Sequence, residues 1–136
     1  MRIFLDANIL FSAAKSDGAT RRFLLRLVEH QHECCADDYV VNEARRNLNL
    51  KGPSALSAFE ALLPLLHVNP LHPSAPELED IDWLPTKDRP VIVAAAHLHC
   101  DVLVTGDRTH FGPGYGKTFG GVTIHSPRSL AELLWP

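Results

Sequence analysis

Short apolar runs that end on a carboxylate, each with helical periodicity beyond it, constrain this chain more than any other feature. Ile3-Phe4-Leu5 stops at Asp6, and Val102-Leu103-Val104 gives way to Thr105-Gly106-Asp107. Runs that are apolar at every position, and not at alternate ones, mark strands buried on both faces. Residues 8–14 follow the first run as a helix. Residues 20–30 form a clearer one, with Phe23, Leu24, Leu27 and Val28 on one face and Arg22, Arg26 and Glu29 on the other. Residues 33–36 and 65–68 read as two further strands. Residues 39–50 make a helix with Val40, Val41, Ala44 and Leu48 turned inward; Gly52-Pro53 breaks it, and residues 55–63 form the next, ended by Pro64. Residues 88–99 are an Ala-rich helix with Pro90 in its first turn. The run at residues 101–105 leads into a glycine-rich loop, then a last strand at 122–125. Ser126-Pro127 caps and starts a final helix through Leu134.

Strands alternating with helices argue for an α/β fold, a mainly parallel sheet of about five strands with helices on both faces. The 136 residues suit a single domain over residues 1–136. The segment at 70–85, with Pro70, Pro73, Pro76 and Pro85, reads as an extended connection and not as a domain boundary.

In such sheets, ligands bind beyond the carboxyl ends of the strands. Asp6 and Asp107 sit there directly. Asp88 opens the helix that leads into the 101–105 strand, so it starts at the same edge, and it shares a helical face with Ile92, Ala95 and His99. Glu43 lies one turn from Val40 and Asn47, on the flank of its helix's buried stripe. Each acid alone has an ordinary explanation: a helix cap for Asp6 or Asp88, a turn for Asp107, an exposed helix position beside Arg46 for Glu43. Together in one crevice they would raise one another's pKa values unless a cation compensated. Oxygen-only ligands select hard cations, Mg²⁺ or Mn²⁺, which activate water and offset charge on a phosphoryl oxygen.

Composition sets the remaining bounds. A formal charge of −3 excludes a broad basic coat for nucleic acid but permits a local positive rim. Cys34, Cys35 and Cys100 are odd in number and contain no C-x-x-C pair, so a reducing, cytoplasmic setting is expected, without structural zinc. Asp6 interrupts the first apolar run too early for a secretory leader, and no run approaches the roughly 20 apolar residues of a membrane span.

Phe4-Leu5-Asp6-Ala7-Asn8, Val41-Asn42-Glu43-Ala44, Lys87-Asp88-Arg89-Pro90-Val91-Ile92 and Leu103-Val104-Thr105-Gly106-Asp107-Arg108-Thr109-His110-Phe111 resemble, in order and separation, the four acidic motifs of PIN (PilT N-terminus) domains. Val122-Thr123-Ile124-His125-Ser126-Pro127-Arg128 resembles the family's last strand and helix. The resemblance implies a three-layer α/β/α sandwich and divalent-metal-dependent cleavage of RNA. It also implies kinship with VapC-like toxins, with a cognate antitoxin as partner. Carried over, Asp6, Glu43, Asp88 and Asp107 become the catalytic metal ligands, Thr105 supports the site through its hydroxyl, and Asn8 orients Asp6 or a ligand water. Arg108 departs from the pattern and is expected to contact an RNA phosphate or pair with an acid.

Around that core, Arg45 or Arg46 and Lys117 are candidate backbone contacts, each with solvated surface charge as its plainer reading. His110 stands near the cleft as a lesser candidate for substrate contact. His97-x-His99, His67 and His72 lack the i, i+4 spacing of zinc hydrolases. Trp83 and Trp135 read as packing residues. Phe23 and Phe59 read as core, with a homodimer or antitoxin interface as the alternative. Two other functions compete: a catalytically weak PIN scaffold binding RNA or protein, and an aspartate-based phosphotransfer domain. Haloacid-dehalogenase-like phosphatases want an acid where Asn8 stands, and receiver domains want adjacent acids at the first strand, whereas Asp37-Asp38 is displaced from it.

Overall fold

A computed structural model of the chain describes residues 1–71 and 77–136. The middle of the proline-rich connection, including His72, Pro73 and Pro76, lies outside the described residues. Six strands, β1 (Arg2–Leu5), β2 (Glu33–Asp37), β3 (His67–Asn69), β4 (Val102–Val104), β5 (Thr118–Phe119) and β6 (Val122–His125), form one sheet in the order β3-β2-β1-β4-β6-β5. Every pairing is parallel except β5 with β6. Ile3, Phe4 and Leu5 of β1, and Leu103 and Val104 of β4, are fully buried. Burial of successive residues, whose side chains point to opposite faces, requires cover on both sides of the sheet.

That cover comes from α1 (Ala7–Lys15), α2 (Ala19–Glu29), α3 (Asp38–Lys51), α4 (Leu56–Leu62), α5 (Arg89–His97), α6 (Arg108–Phe111) and α7 (Pro127–Leu134). Helix α1 packs against α2, α3 and α4, while α5 and α7 both contact β6. The Ala-rich stretch of α5 buries Val91, Ile92 and Ala95.

Among the described residues the sheet has one strand more than the five expected. Gly120 and Gly121, at φ 56° and 83°, make a two-residue hairpin turn that returns Phe119 onto Val122. The glycines that read as a loop thus create an antiparallel edge strand. The strand expected at 65–68 forms at His67–Asn69, because Leu63–Leu65 closes a 3₁₀ turn first. The helix expected from residue 88 begins at Arg89, with Asp88 ending a 3₁₀ turn that spans Thr86–Asp88. Phe59 is core. Phe23 is half-buried, with its ring 6.3 Å from that of Trp135. Trp83 packs 5.3 Å from Phe119, its indole donating to the Asp80 carbonyl at 2.8 Å. No helix among the described residues is long and apolar enough to cross a membrane.

Candidate metal centre

From β1 the chain moves outward to β2 and β3, then returns to lay β4 on β1's other side. The sheet order therefore reverses between β1 and β4, the place where open α/β sheets leave a crevice. Leu5 pairs with Val104, so Asp6 and Thr105 leave the sheet side by side.

Asp6 caps α1: one oxygen accepts from the Ala7 N–H at 2.8 Å. The other accepts from the Thr105 hydroxyl at 2.8 Å and the Asn8 amide at 3.1 Å. Asn8 in turn accepts from the Gly106 N–H at 2.8 Å, and Thr105 Oγ1 accepts from the Asp107 N–H at 3.2 Å. Thr105 is thus the joint through which the ends of β1 and β4 are tied. Burial raises the Asp6 carboxyl to about 6, with Glu43's charge adding to the rise while the hydrogen bonds oppose it.

Asp107 caps the short α6 with Oδ1, which accepts from the His110 N–H at 3.1 Å, and its Oδ2 is left 3.1 Å from His110 Nδ1. The same nitrogen is 2.9 Å from Asp88 Oδ2. That approach lacks hydrogen-bond alignment: Asp88 Oδ2 is buried without a hydrogen-bond partner. Asp88 occupies the cap position of α5 but makes no capping bond. The ordinary cap explanation therefore holds for one oxygen of Asp6 and fails for Asp88, while Asp107, expected in a turn, caps α6 with one oxygen.

Asp6, Glu43, Asp88 and Asp107 all line one cleft of about 210 Å³, with Asn8 and His110. Asn47 and Lys51 extend the Glu43 wall at i+4 and i+8 along α3, and Lys87 and Phe11 complete the rim. The donor set suits a divalent cation. Carboxylates from four parts of the chain face one space, and a buried, unpartnered carboxylate oxygen costs free energy that a cation would recover. Asp88, Asp107 and His110 bring one ligand atom each to within 4.8 Å of one another.

Arg108 is exposed and stands outside the residues lining the cleft, and it forms no ion pair among the described residues. Of the two contacts expected of it, the pairing with an acid does not form among the described residues, and its exposed guanidinium stays open to solvent. As the first residue of α6, it sits where Asp107 and His110 take the inward positions. Arg45 is committed to Glu60 at 3.0 Å, and Arg46 and Lys117 also lie outside the lining. The cleft's cations are instead Lys51 and Lys87. Lys51 was legible as the i+8 neighbour of Glu43; Lys87 had only its place beside Asp88.

A mostly parallel α/β sheet with an acid-lined cleft where its strand order reverses defines the structural class. The particular relationship follows from comparison: the chain belongs to the PIN domain family, whose model matches residues 2–109. The haloacid-dehalogenase-like and receiver-domain readings fall with that match. Three solved structures share the fold. VapBC2 from Rickettsia felis, bound to a DNA fragment from its promoter, is 13% identical, with TM-score 0.66 over 93% of this chain and 98% of that one. VapC20 from Mycobacterium tuberculosis, described as a sarcin–ricin loop cleaving toxin, is 14% identical, with TM-score 0.59 over 86% and 98%. VapBC-1 from nontypeable Haemophilus influenzae is 16% identical, with TM-score 0.60 over 94% and 99%. A comparison with curated protein sequences gives no match.

Proposed function

We propose that the protein is a divalent-metal-dependent endoribonuclease, the toxin of a type II toxin–antitoxin pair. The observation that carries this reading is the convergence of Asp6, Glu43, Asp88 and Asp107 on one cleft, with a buried Asp88 oxygen that makes no hydrogen bond. These four residues would hold Mg²⁺ or Mn²⁺. When bound, the ion supplies charge neutralisation at the phosphodiester and makes a neighbouring water easier to deprotonate.

The chain's own groups do the rest. Thr105 and Asn8 lock the Asp6 carboxylate in one orientation. Glu43 makes no hydrogen bond among the described residues, so holding the ion through a water would leave its carboxylate able to take that water's proton. Lys51 and Lys87 draw the RNA backbone to the rim and fix the scissile phosphate between α3 and α5. The description of the mycobacterial neighbour as a sarcin–ricin loop cleaving toxin, and of the other two as VapBC complexes, supports the toxin role and a protein antitoxin as partner.

Mixed-sequence RNA incubated with the metal-stripped protein is expected to remain intact, and to be cut on addition of Mn²⁺. Asp6→Asn and Asp107→Asn should each slow that cleavage by about 100-fold or more. Cleavage unchanged in both variants would refute the assignment.

A further inference from the structure

We propose that His110 is a nitrogen ligand of the metal centre and, with Asp88 and Asp107, makes it prefer transition dications such as Mn²⁺ to Mg²⁺. The inference rests on the metal-dependent reading above and sharpens it from an all-carboxylate site to a mixed one.

Three features of the structure carry it. The first is spacing. Ligand atoms about 2.1 Å from an ion, at right angles to one another, stand about 3.0 Å apart. His110 Nδ1 lies 2.9 Å from Asp88 Oδ2 and 3.1 Å from Asp107 Oδ2, so it already stands at that spacing from both oxygens. The second is direction. No hydrogen bond joins the ring to either carboxylate among the described residues, and Asp88 Oδ2 stays buried and unpartnered although the nitrogen is close. At 2.9 and 3.1 Å the ring is an ion-pair partner of both acids when protonated, and stands as a ligand beside them when neutral. The third is anchoring. Phe111 is fully buried and pins α6, and the Asp107 cap holds the His110 backbone, so the i, i+3 pair turns its side chains to one side.

The chemistry follows from ligand type. Carboxylate and water suit Mg²⁺ and Mn²⁺ alike, whereas an imidazole nitrogen adds affinity along the first-row series, least at Mn²⁺ but more there than at Mg²⁺. Replacing one oxygen donor by nitrogen therefore penalises Mg²⁺ without excluding Mn²⁺.

The test uses the full chain, stripped with a chelator and titrated calorimetrically with Mn²⁺ and with Mg²⁺, alongside electron spin-echo spectra of the bound Mn²⁺. The native protein is expected to bind Mn²⁺ about tenfold or more tightly than Mg²⁺ and to show coupling to a histidine nitrogen. In His110→Ala the nitrogen coupling should vanish and the Mn²⁺ preference shrink by about tenfold. His110→Asp should restore tight binding while bringing Mg²⁺ close to Mn²⁺. A native spectrum without nitrogen coupling overturns the proposal. So does Mn²⁺ binding as tight or tighter in His110→Ala, which would make the ring a permanent counter-ion. If Asp88→Asn abolishes binding and cleavage while His110→Ala leaves the metal ratio unchanged, the nuclease reading stands and the ligand assignment falls. RNA cleavage that needs no metal, with neither ion bound, overturns both.

Discussion

Thr105 shows how much one buried hydroxyl can organise. Its oxygen donates to Asp6, accepts from Asn8 and accepts from the Asp107 N–H, so it links two of the four acids. Val has nearly the same shape but no hydroxyl. Thr105→Val is therefore expected to leave Asp6 one hydrogen bond short and the Asp107 N–H without this acceptor, at a cost of about 1–3 kcal/mol. Urea unfolding reads that loss directly. A midpoint equal to that of the native chain would show that the bonds carry no net stability. Asp6 itself illustrates why the plain and the functional explanations of a residue need not compete, since one carboxylate oxygen caps α1 while the other is held in the network beside Asn8 and Thr105.

Among the elements, the segment between β4 and β6 departs furthest from what its composition suggests. Its glycines permit close packing as well as turning. A Cβ on Gly114 would meet the Trp83 ring at 2.4 and 2.8 Å and Ile124 at 3.0 Å. The ring is rigid and already lies against Phe119, so it has little room to yield. Gly114→Ala is expected to destabilise the fold by about 1–3 kcal/mol through overpacking. Gly116→Ala provides the contrast, since open space surrounds it and only its φ of 79° resists a side chain. Equal melting temperatures for Gly114→Ala and the native chain would contradict the close approach. Helix α3 makes the complementary point: Glu43, Asn47 and Lys51 recur every fourth residue, so one helical stripe supplies an acid, an amide and a cation to the same wall.

Across the molecule, gathering these acids carries a stability cost that pH should reveal. The Asp6 carboxyl, raised by burial from 3.8 to about 6, binds its proton more tightly in the fold than in the unfolded chain. Stability from this group is then present at low pH and is lost as pH rises from about 4 to 6. Burial raises Asp37 in the same sense, while it lowers His125 and so acts oppositely. Comparison with Asp6→Asn isolates the one group. The metal-free native chain should lose more melting temperature between pH 5 and pH 7 than the variant does, and saturating Mn²⁺ at pH 7 should restore it. Parallel pH profiles for the two proteins would refute the assignment of that cost to Asp6.

Much of this architecture was readable along the chain. Uninterrupted apolar runs named β1 and β4, and a carboxylate just past a buried strand has only one place to go, the carboxyl edge of the sheet. The periodicity of residues 39–50 likewise put Glu43 on a flank that faces inward. These inferences worked because strand and helix geometry fixes a side chain's direction locally. The hairpin of β5, the outward position of Arg108 on α6 and the approach of His110 to both Asp88 and Asp107 were not readable in that way. They depend on how a short, glycine-rich segment folds back over Trp83 and Phe111, and its residues have no period of their own. Local sequence set where the acids emerge, and packing between distant segments decided which cation-bearing and nitrogen-bearing neighbours meet them.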